Sequence, residues 1–428
     1  MPSLFEDLSW RGLVHQLTDH ETLPRRLDCD RLVLYIGFDP TANSLHVGHL
    51  QQICLLRRCQ GAGHRPIALV GGGTGMIGDP SGKSEERNLL TSEELDANRA
   101  SIARQLSQFL DFSGPEGALL ADNADWLGTT PLLEFLRDVG KLFSVNEMIR
   151  KESVRARLEG REQSLSFTEF SYMLLQAWDF LQLHDRYGCE LQLGGSDQWG
   201  NITEGIDLIR RRRGTQAYGL TSPLVTKADG SKFGKTESGN VWLDPAMTSP
   251  YEFFQFWLRS GDPEVGSYLR RFTFLPAERV EELEEATVSR PERREAQRQL
   301  AFELTAMVHG SDEARRAEQA AAVLFTPEIG TLDPETLEKA LADAPTVEVT
   351  RQDLEGDLTV LGALLKAGLA DSRNNARRLL SQGSVYINGA RVSEDRPLAA
   401  SDALHGRWIV LRRGPSKQCV LVVTPGTA

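Results

Sequence analysis

The stretch RPIALVGGGTGMIGDPSGKS, Arg65–Ser84, decides the fold. Its apolar run, 66–70, predicts a buried β-strand, and the glycines after it predict a tight turn. Similar runs occur in RLVLYIGF (31–38) and GCELQLGG (188–195), and helical segments separate them. Strands that alternate with helices predict an α/β fold with a doubly wound, parallel, Rossmann-like sheet.

The glycine turn carries the letters of two nucleotide-binding motifs, but neither motif has its proper context. A P-loop ending in GKS would need its first glycine at Ile77, and Gly78 lies one residue too close. A dinucleotide fingerprint should open a helix, whereas GTGMIG (73–78) is followed by DPSG. We therefore expect neither a P-loop nor a nicotinamide or flavin site. A glycine turn without special chemistry stays open, and Asp79 faces the usual ligand crevice.

Composition is that of an ordinary globular protein, with 428 residues, 40% hydrophobic content and a net charge of −12. The acidic balance argues against nucleic-acid binding over the whole surface but allows a local basic patch. The five cysteines are scattered without a CxxC, which predicts reduced thiols in a cytoplasmic enzyme rather than disulfides or a zinc site. We expect neither a signal peptide nor a membrane span.

Charge changes sharply along the C-terminal part of the chain. Residues 312–357 hold twelve acidic against four basic residues, whereas 366–417 hold ten basic against four acidic residues. This shift predicts an acidic linker before a basic module. The predicted domains are a Rossmann-like catalytic domain (1–222), a loop segment (223–250), a helical domain (251–325), the acidic linker (326–357) and a small basic α+β domain (358–428).

The segment SLHVGHL, 44–50, begins a predicted helix after a strand and a turn. His46 and His49 are three residues apart and share one face of the first turn. Gly48 between them leaves room for a flat group. Because a helix N-terminus carries free N–H groups and partial positive charge, this segment suits a phosphate. Two incidental histidines, or a metal pair that lacks a third ligand, remain alternatives.

Three further segments place polar side chains where ligands bind. In SKFGKTESGN (231–240), Lys232 and Lys235 occupy a flexible loop and could neutralise a polyphosphate. In GGSDQWGN (194–201), Asp197 is placed to accept from a ribose hydroxyl. The helix SFTEFSYMLLQAWDFLQLH (166–184) is apolar nearly all round, yet it carries a polar stripe on one face: Tyr172, Gln176 and Asp179. Either an internal network or a ligand satisfies this stripe.

Together these segments resemble the class I aminoacyl-tRNA synthetases, and within them the bacterial type of tyrosyl-tRNA synthetase. HVGH resembles the HIGH signature, and KFGKT resembles the KMSKS signature. YIGFDPTANSLHVGHL, GDPSGKSEER, SFTEFSYMLLQAWDF and GGSDQWGNIT are each similar to that family, and the similarity spans essentially the whole chain. SRNNARRLLSQGSVYINGARV resembles an S-four-type RNA-binding module, with a hairpin turn at Asn388-Gly389.

The resemblance implies tyrosine activation by ATP, followed by tyrosyl transfer to the terminal adenosine of tRNA. It implies Mg²⁺ with ATP as substrate, no tightly bound cofactor and no protein metal site. Implied catalytic residues are His46, His49, Lys232, Lys235 and Thr236. Implied tyrosine contacts are Tyr35, Asp79, Tyr172, Gln176, Asp179 and Gln192. Implied ATP contacts are Gly37, Asp39, Gly48, Lys83, Arg87, Gly195, Asp197 and Lys235.

For tRNA, the resemblance implies contacts from Arg150, Lys151, Arg155, Arg157, Arg373, Arg377 and Arg378. It also implies a homodimer without membrane association, and it gives Gln52 and Asn123 no firm role. A tryptophanyl-type synthetase and a catalytically silent RNA-binding scaffold are the alternatives. Tyr35 with Asp179 disfavours the first, and the intact HVGH and KFGKT motifs disfavour the second.

Overall fold

The computed structural model describes residues 2–424 except 82–89, 152–153, 156–157, 159–164, 227–232, 237–238, 325, 343, 357 and 415–416. For residues 235 and 236 it describes the backbone. The chain divides into two compact units. Unit 1 comprises 1–247 and 261–296, and unit 2 comprises 248–260 and 297–428.

Nine described α-helices of unit 1 precede residue 248. In chain order they are α1 (Leu4–Trp10), α2 (Thr22–Cys29), α3 (Val47–Gly61), α4 (Ser92–Leu106), α5 (Ala124–Leu127), α6 (Leu132–Asp138), α7 (Val145–Met148), α8 (Phe167–Tyr187) and α9 (Trp199–Arg213). After α10 (Pro250–Leu258) of unit 2, the chain returns to unit 1 with α11 (Asp262–Phe272) and α12 (Ala277–Ser289).

A six-stranded sheet forms the centre of unit 1, in the order β1-β6-β5-β2-β3-β4. Its strands are β1 (Gln16–Leu17), β2 (Val33–Phe38), β3 (Arg65–Val70), β4 (Leu119–Asp122), β5 (Cys189–Gly195) and β6 (Tyr218–Ser222). All neighbours pair in parallel except β1, which is antiparallel to β6. The predicted doubly wound parallel sheet is confirmed.

The strand order places a crevice at the carboxyl end of β2. This strand pairs with β3 on one side and with β5 on the other, so the connections run outward in opposite directions. Residues 66–70 of β3 are all buried, which explains their continuous apolar run. The chain then turns at Gly71, immediately beside the end of β2. Such a switch point is where open α/β sheets bind ligands.

Helix α8 crosses this crevice. Its N-cap, Ser166, accepts from the backbone N–H of Glu169, and the Glu169 carboxylate accepts from the N–H of Ser166. Gly188 ends the helix in the left-handed conformation, with φ of 67°. The cap fixes where α8 begins, and Tyr172 and Asp179 are both buried on its inner face.

Unit 2 combines helices with a five-stranded sheet. Its remaining helices are α13 (Glu295–His309), which begins at the boundary, α14 (Ser311–Val323), α15 (Pro334–Leu341), α16 (Arg351–Glu355), α17 (Val360–Lys366) and α18 (Arg373–Ser381). The sheet has the order β11-β10-β12-β13-β9. Its strands are β9 (Thr346–Thr350), β10 (Val385–Ile387), β11 (Ala390–Val392), β12 (Trp408–Arg413) and β13 (Lys417–Thr424).

The hairpin between β10 and β11 follows the sequence expectation. Asn388 and Gly389 both have positive φ, 48° and 75°, as a two-residue hairpin of the type I′ class requires. The basic α+β module predicted at the C-terminus is therefore present as a fold.

The units divide the chain differently from the predicted domain boundaries. Residues 251–325 do not form one helical domain, because 261–296 belong to unit 1. Residues 326–357 are more than a linker, since they contribute α15, β9 and α16. Strand β9 pairs in parallel with β13, so the C-terminal sheet includes chain from before residue 358. Among the described residues, no helix has both the length and the apolar composition to cross a membrane.

Candidate functional site

A cavity of about 270 Å³ opens at the carboxyl end of β2. It is lined by the ends of β2 and β5, the glycine turn after β3, the start of α3 and the inner face of α8. Twelve residues that were predicted to bind tyrosine or ATP, or to act in catalysis, line it: Tyr35, Gly37, Asp39, Gly48, His49, Asp79, Tyr172, Gln176, Asp179, Gln192, Gly195 and Asp197. Segments far apart in sequence are thus brought into one site.

At one end of the cavity, the buried Asp179 carboxylate is held by two donors. Trp126 Nε1 donates to Oδ1 at 2.7 Å, and Asn123 Nδ2 donates to Oδ2 at 2.9 Å. Burial raises the pKa of Asp179 to about 8, although these two hydrogen bonds favour its ionised form. The carboxylate is fixed in direction, and its charge titrates in the neutral to mildly alkaline range.

Two buried polar atoms of β2 and β5 residues that line the cavity lack a partner among the described residues. They are the hydroxyl of Tyr35 on β2 and Oε1 of Gln192 on β5, and these two residues are register neighbours in the sheet. Burial and the nearby Asp179 charge raise the pKa of Tyr35 well above its ordinary value, so its phenol stays neutral. An unpaired buried polar group costs about 1–3 kcal/mol. This end of the cavity is therefore suited to a ligand with hydrogen-bonding groups.

The glycine turn is attached to the cavity wall by Asn123. Its Oδ1 accepts from the Gly73 N–H at 2.7 Å, and its Nδ2 donates to Thr74 Oγ1 at 2.9 Å as well as to Asp179. One amide thus ties the turn after β3 to α8. At Gly71, a Cβ atom would lie 2.1 Å from Asp39 Oδ1, so the close approach at this position requires glycine.

Asp39 follows β2 and joins the turn to α8. Its Oδ1 accepts from Thr74 Oγ1 at 2.7 Å, and its Oδ2 accepts from the Tyr172 hydroxyl at 2.9 Å. Burial and the Asp39 charge raise the pKa of Tyr172 well above its ordinary value. The polar stripe on α8 therefore has an internal partner at Tyr172, and it also faces the cavity.

A second polar network includes three residues that line the cavity: Asp79, Gln176 and Gln198. Gln198 Nε2 donates to Asp79 Oδ2 at 2.8 Å. Asn201 Nδ2 lies 3.0 Å from Gln176 Oε1 and 3.1 Å from Gln198 Oε1. Because these groups are mutually bonded, the Asp79 carboxylate is held at the cavity wall, where a cation can approach it.

The start of α3 carries the two histidines predicted to bind phosphate. His46 is the N-cap, and its Nδ1 accepts from the Gly48 N–H at 3.0 Å. His49 Nδ1 accepts from the His46 N–H at 3.1 Å, and the ring centroids are 4.0 Å apart. Both rings are oriented by backbone bonds at a helix N-terminus. Gly48 and His49 line the cavity, whereas His46 does not, so the positive end of the helix dipole lies beside the cavity.

The second signature segment lies against this same helix start. Val47 N–H donates to Val241 O at 3.0 Å, and Val241 N–H donates to Gly234 O at 3.1 Å. The backbone of β7 (Lys235–Thr236) pairs with β8 (Gly239–Asn240). The backbone around KFGKT is thus connected to HVGH. Other predicted phosphate contacts lie outside the described residues or side chains: Lys83, Arg87, Lys232, and the side chains of Lys235 and Thr236.

Asp197 lies in the turn between β5 and α9, at the mouth of the cavity. Burial, together with the nearby Asp79 charge, raises the pKa of Asp197 to about 6. Gly195 precedes it, and a Cβ there would lie 2.5 Å from Asp197 Oδ1. Gln52 of α3 also lines the cavity and donates from Nε2 to Ser222 Oγ at 2.9 Å.

The predicted RNA contacts differ in their surroundings. Arg150 and Arg155 are exposed in unit 1, whereas Lys151 Nζ is bonded to Glu204 at 2.8 Å and to Thr203 Oγ1 at 3.0 Å. Arg157 lies outside the described residues. In unit 2, three exposed arginines lie on α18, and they are called here the basic-helix arginines: Arg373, Arg377 and Arg378.

No group of three or more His, Cys, Asp or Glu side chains suited to a metal ion occurs within the described part of the chain. The residues that sequence reasoning missed are supporting ones: Thr74, Trp126, Gln198 and Asn201. Asn123, which had been given no firm role, belongs with them. The available signal was the NADW segment, 123–126, directly after β4. Its first and last residues, which both donate to Asp179, lie within one helical turn.

Comparisons with known proteins agree with this geometry. Residues 27–326 match the family described as tRNA synthetases class I (W and Y), and residues 336–422 match the Tyrosine--tRNA ligase SYY-like C-terminal domain. A tyrosine–tRNA ligase of Roseiflexus castenholzii is 53% identical over 417 residues, covering 97% of this chain and 98% of that protein. One of Geobacillus stearothermophilus is 50% identical over the same length, with the same coverage.

A solved structure is similar as well. A C-terminally truncated mitochondrial tyrosyl-tRNA synthetase of Aspergillus nidulans matches with a TM-score of 0.67 and 34% identity. The match covers 76% of this chain and 95% of that chain.

Proposed function

Because the chain belongs to the tyrosine–tRNA ligase family of the class I synthetases, we propose that it joins L-tyrosine to tRNA(Tyr) in two steps. The tyrosine carboxylate attacks the α-phosphate of ATP, giving tyrosyl-adenylate and pyrophosphate. The 3′-terminal adenosine hydroxyl of the tRNA then takes the tyrosyl group and releases AMP.

The observation that carries the proposal is that the cavity has buried polar atoms without hydrogen-bond partners among the described residues. The Tyr35 hydroxyl and Gln192 Oε1 are buried, and their residues line the same cavity as the fixed Asp179 carboxylate. A substrate phenol donates to Asp179 and accepts from the Tyr35 hydroxyl, which gives that buried hydroxyl a partner. A pocket built to bond a hydroxyl rejects a substrate that lacks it by several orders of magnitude, and the tyrosyl enzymes of this same family are the standard example of the effect. Phenylalanine is therefore rejected without an editing site.

The ammonium group of tyrosine binds at the second polar network, which contains Asp79 and Gln176. Asp79 supplies the charge, and Tyr172 and Gln176 supply oxygens on the inner face of α8. Asp79 is already oriented by Gln198, so little reorganisation accompanies binding. The carboxylate then points toward the start of α3.

Catalysis comes from positioning and from charge stabilisation at the α-phosphate. His46 and His49 stabilise the phosphate in the transition state, at the N-terminus of α3. Loss of one such donor costs about 3 kcal/mol. Departing pyrophosphate is held by residues assigned through family resemblance: Lys83, Arg87, Lys232, Lys235 and Thr236. No side chain acts as a nucleophile.

The nucleoside part of ATP lies across the mouth of the cavity. Gly37 and Gly48 allow it to approach the backbone closely, and the ribose hydroxyls meet Asp39, Gly195 and Asp197. Magnesium enters with ATP as part of the substrate, bound to the phosphates.

Transfer RNA is bound by two basic regions. Arg150, Lys151, Arg155 and Arg157 contact the acceptor arm, and the basic-helix arginines contact a more distant part of the RNA backbone. Lys151 reaches the RNA only by leaving its ion pair with Glu204.

We also propose that the enzyme is a cytoplasmic homodimer. The described cysteines are all unpaired, which suits a reducing compartment. Large apolar side chains are exposed in unit 1 at Leu132 (69%), Leu133 (79%) and Phe167 (77%). In the proposed homodimer, a second copy of the chain covers these side chains. Sedimentation of the full chain tests this assignment, and a monomer at micromolar concentration would exclude it.

Pyrophosphate–ATP exchange, measured with each amino acid in turn, tests the proposed reaction. Exchange with tyrosine alone is expected. Exchange stimulated by another amino acid would refute the specificity, and exchange with none would favour a silent scaffold. Asp179→Ala abolishes tyrosine activation. Tyr35→Phe removes one neutral hydrogen bond and lowers kcat/KM for tyrosine by about three- to tenfold.

A further inference from the structure

Phe233 lies between the two lysines of the KFGKT motif, and its aromatic ring packs against helix α11. Phe233 stacks on Phe272 of α11, with ring centroids 5.7 Å apart and an interplanar angle of 23°. It also meets Tyr268, at 5.3 Å and 57°. Tyr268 and Phe272 are four residues apart on one face of α11, and both are buried. The ring of Phe233 therefore occupies a site formed by the buried face of a helix.

The helix that receives this ring is fastened to α3. Cys54 Sγ of α3 contacts Phe272 O at 3.3 Å, and the Arg58 guanidinium donates to Thr273 O. Arg11 of the N-terminal segment donates to Arg270 O at 3.0 Å and to Leu275 O at 2.9 Å. Helix α11 thus holds a fixed position along the same helix whose first turn carries His46 and His49.

Next to Phe233, the backbone contacts the first turn of α3 directly. A Cβ on Gly234 would lie 2.9 Å from Val47 Cγ2, and Gly234 has φ of 81°. Gly234 O accepts from Val241 N–H, and Val241 O accepts from Val47 N–H. The ring contact with α11 and the backbone contact with the first turn of α3 are therefore made by adjacent residues.

We propose that Phe233 is a positioning residue for adenylate formation, and this rests on the proposed function. Its ring, docked on Tyr268 and Phe272, sets the placement of the KFGKT backbone against the HVGH helix start, and so the reach of the motif toward the ATP phosphates. The ring lies apart from the tyrosine cavity, since no residue of α11 lines that cavity. Its loss slows the ATP-dependent step and leaves tyrosine binding intact.

The test compares Phe233→Ala and Phe233→Tyr with Phe274→Ala in the full chain. Phe274 is a matched control, because it lies just after α11 and is 41% exposed under Arg57 and Arg58. Tyrosine binding is measured by equilibrium dialysis, and the rate of adenylate formation is measured in single turnovers with saturating tyrosine and ATP.

In Phe233→Ala the single-turnover rate is expected to fall about ten- to hundredfold, as small misplacements at reacting groups do. The dissociation constant for tyrosine stays within about twofold, because the ring makes no ground-state contact with tyrosine. Phe233→Tyr keeps the ring and most of the rate, and Phe274→Ala matches the parent protein. An unchanged rate in Phe233→Ala overturns the proposal. So does an equal loss of tyrosine binding, which would indicate general damage.

A double-mutant cycle between Phe233→Leu and Tyr268→Leu tests whether the rings act together. If the contact between these two rings sets the position, the double variant loses less rate than the product of the two single losses. Strictly multiplicative losses would contradict the coupling. A parent protein that gives no adenylate with tyrosine would refute the proposed function instead, so the two failures are distinct.

Discussion

Replacing Trp126 with phenylalanine removes one hydrogen-bond donor from Asp179 and keeps a buried aromatic ring. Trp126 Nε1 donates to Asp179 Oδ1 at 2.7 Å, which leaves Asn123 as the remaining donor. A hydrogen bond to a charged group contributes about 1.5–3 kcal/mol. At 1.36 kcal/mol per unit, its loss raises the pKa of Asp179 by about one to two units. The starting value is about 8.

The assay is the pH dependence of kcat/KM for tyrosine in pyrophosphate exchange. This parameter reports ionisations of the free enzyme, and the substrate phenol needs the ionised carboxylate as its acceptor. The parent protein should gain activity as pH rises through Asp179's own pKa. In Trp126→Phe that limb moves to higher pH, so kcat/KM near pH 7.5 falls about ten- to hundredfold.

Trp178→Phe provides a matched control. Trp178 directly precedes Asp179 on α8, packs in the same core cluster, and has an Nε1 without a partner among the described residues. Its replacement removes the same atoms without removing a donor to Asp179, so the limb stays in place. If Trp126→Phe lowers kcat/KM by one factor at every pH, Trp126 serves packing alone and the electrostatic reasoning fails.

Three other perturbations follow from the same geometry. In Asp179→Asn, the free energy of unfolding changes less with pH. A raised native pKa stabilises the folded state most below the unfolded pKa, and that stability is lost as pH rises from the unfolded to the native value, at about 1.4 kcal/mol per pH unit. An equal pH dependence of the urea-unfolding free energy in the parent protein and the variant would exclude the effect. Gly71→Ala forces Asp39 and Thr74 apart, and kcat/KM for tyrosine falls about a hundredfold. Gly61→Ala has nothing within 4 Å of the new methyl group and keeps full activity, so equal activity in both variants would contradict the steric reasoning. Alanine at the basic-helix arginines lowers tRNA charging but not pyrophosphate exchange. The slope of the logarithm of the tRNA binding constant against the logarithm of salt concentration falls in magnitude by about one per lost phosphate contact. Undiminished charging would remove their role.

The sheet and its switch point could be predicted from sequence because they depend on local patterns. Strands β2 and β3 are buried on both faces, so their apolar runs are continuous, and the glycines after β3 mark the turn. The polar stripe on α8 was also readable, since positions 172, 176 and 179 are fixed by helical geometry alone. Such features need no knowledge of what packs against them.

The partners of the stripe could not be predicted, because they come from distant segments. Asn123 reaches both Gly73 and Asp179 only because β4 pairs beside β3 and ends level with it. Asp39 was assigned to ATP by resemblance, yet here it accepts from Tyr172 on α8. These choices depend on strand order and on side-chain direction across the sheet, which a single sequence leaves undetermined.

Strand β9 shows a different difficulty. Its sequence, TVEVT, alternates as a strand should, but it lies within a strongly acidic stretch whose overall charge indicated a linker. Composition averaged over dozens of residues concealed a five-residue pattern. The parallel pairing with β13 supplies the missing neighbour, and no local signal specifies that pairing.

The order of strands in unit 2 also bears on how the chain matures. Strand β13 comes last among these five strands along the chain, yet it is an interior strand of its sheet, between β12 and β9. Until it arrives, both neighbours present unpaired backbone, and β9 waits for a partner that begins more than sixty residues later. A truncation that removes β13 therefore loses two ladders rather than one. This sheet closes only once β13 has been synthesised, and chains that lack β13 expose two unpaired strand edges to chaperones and proteases.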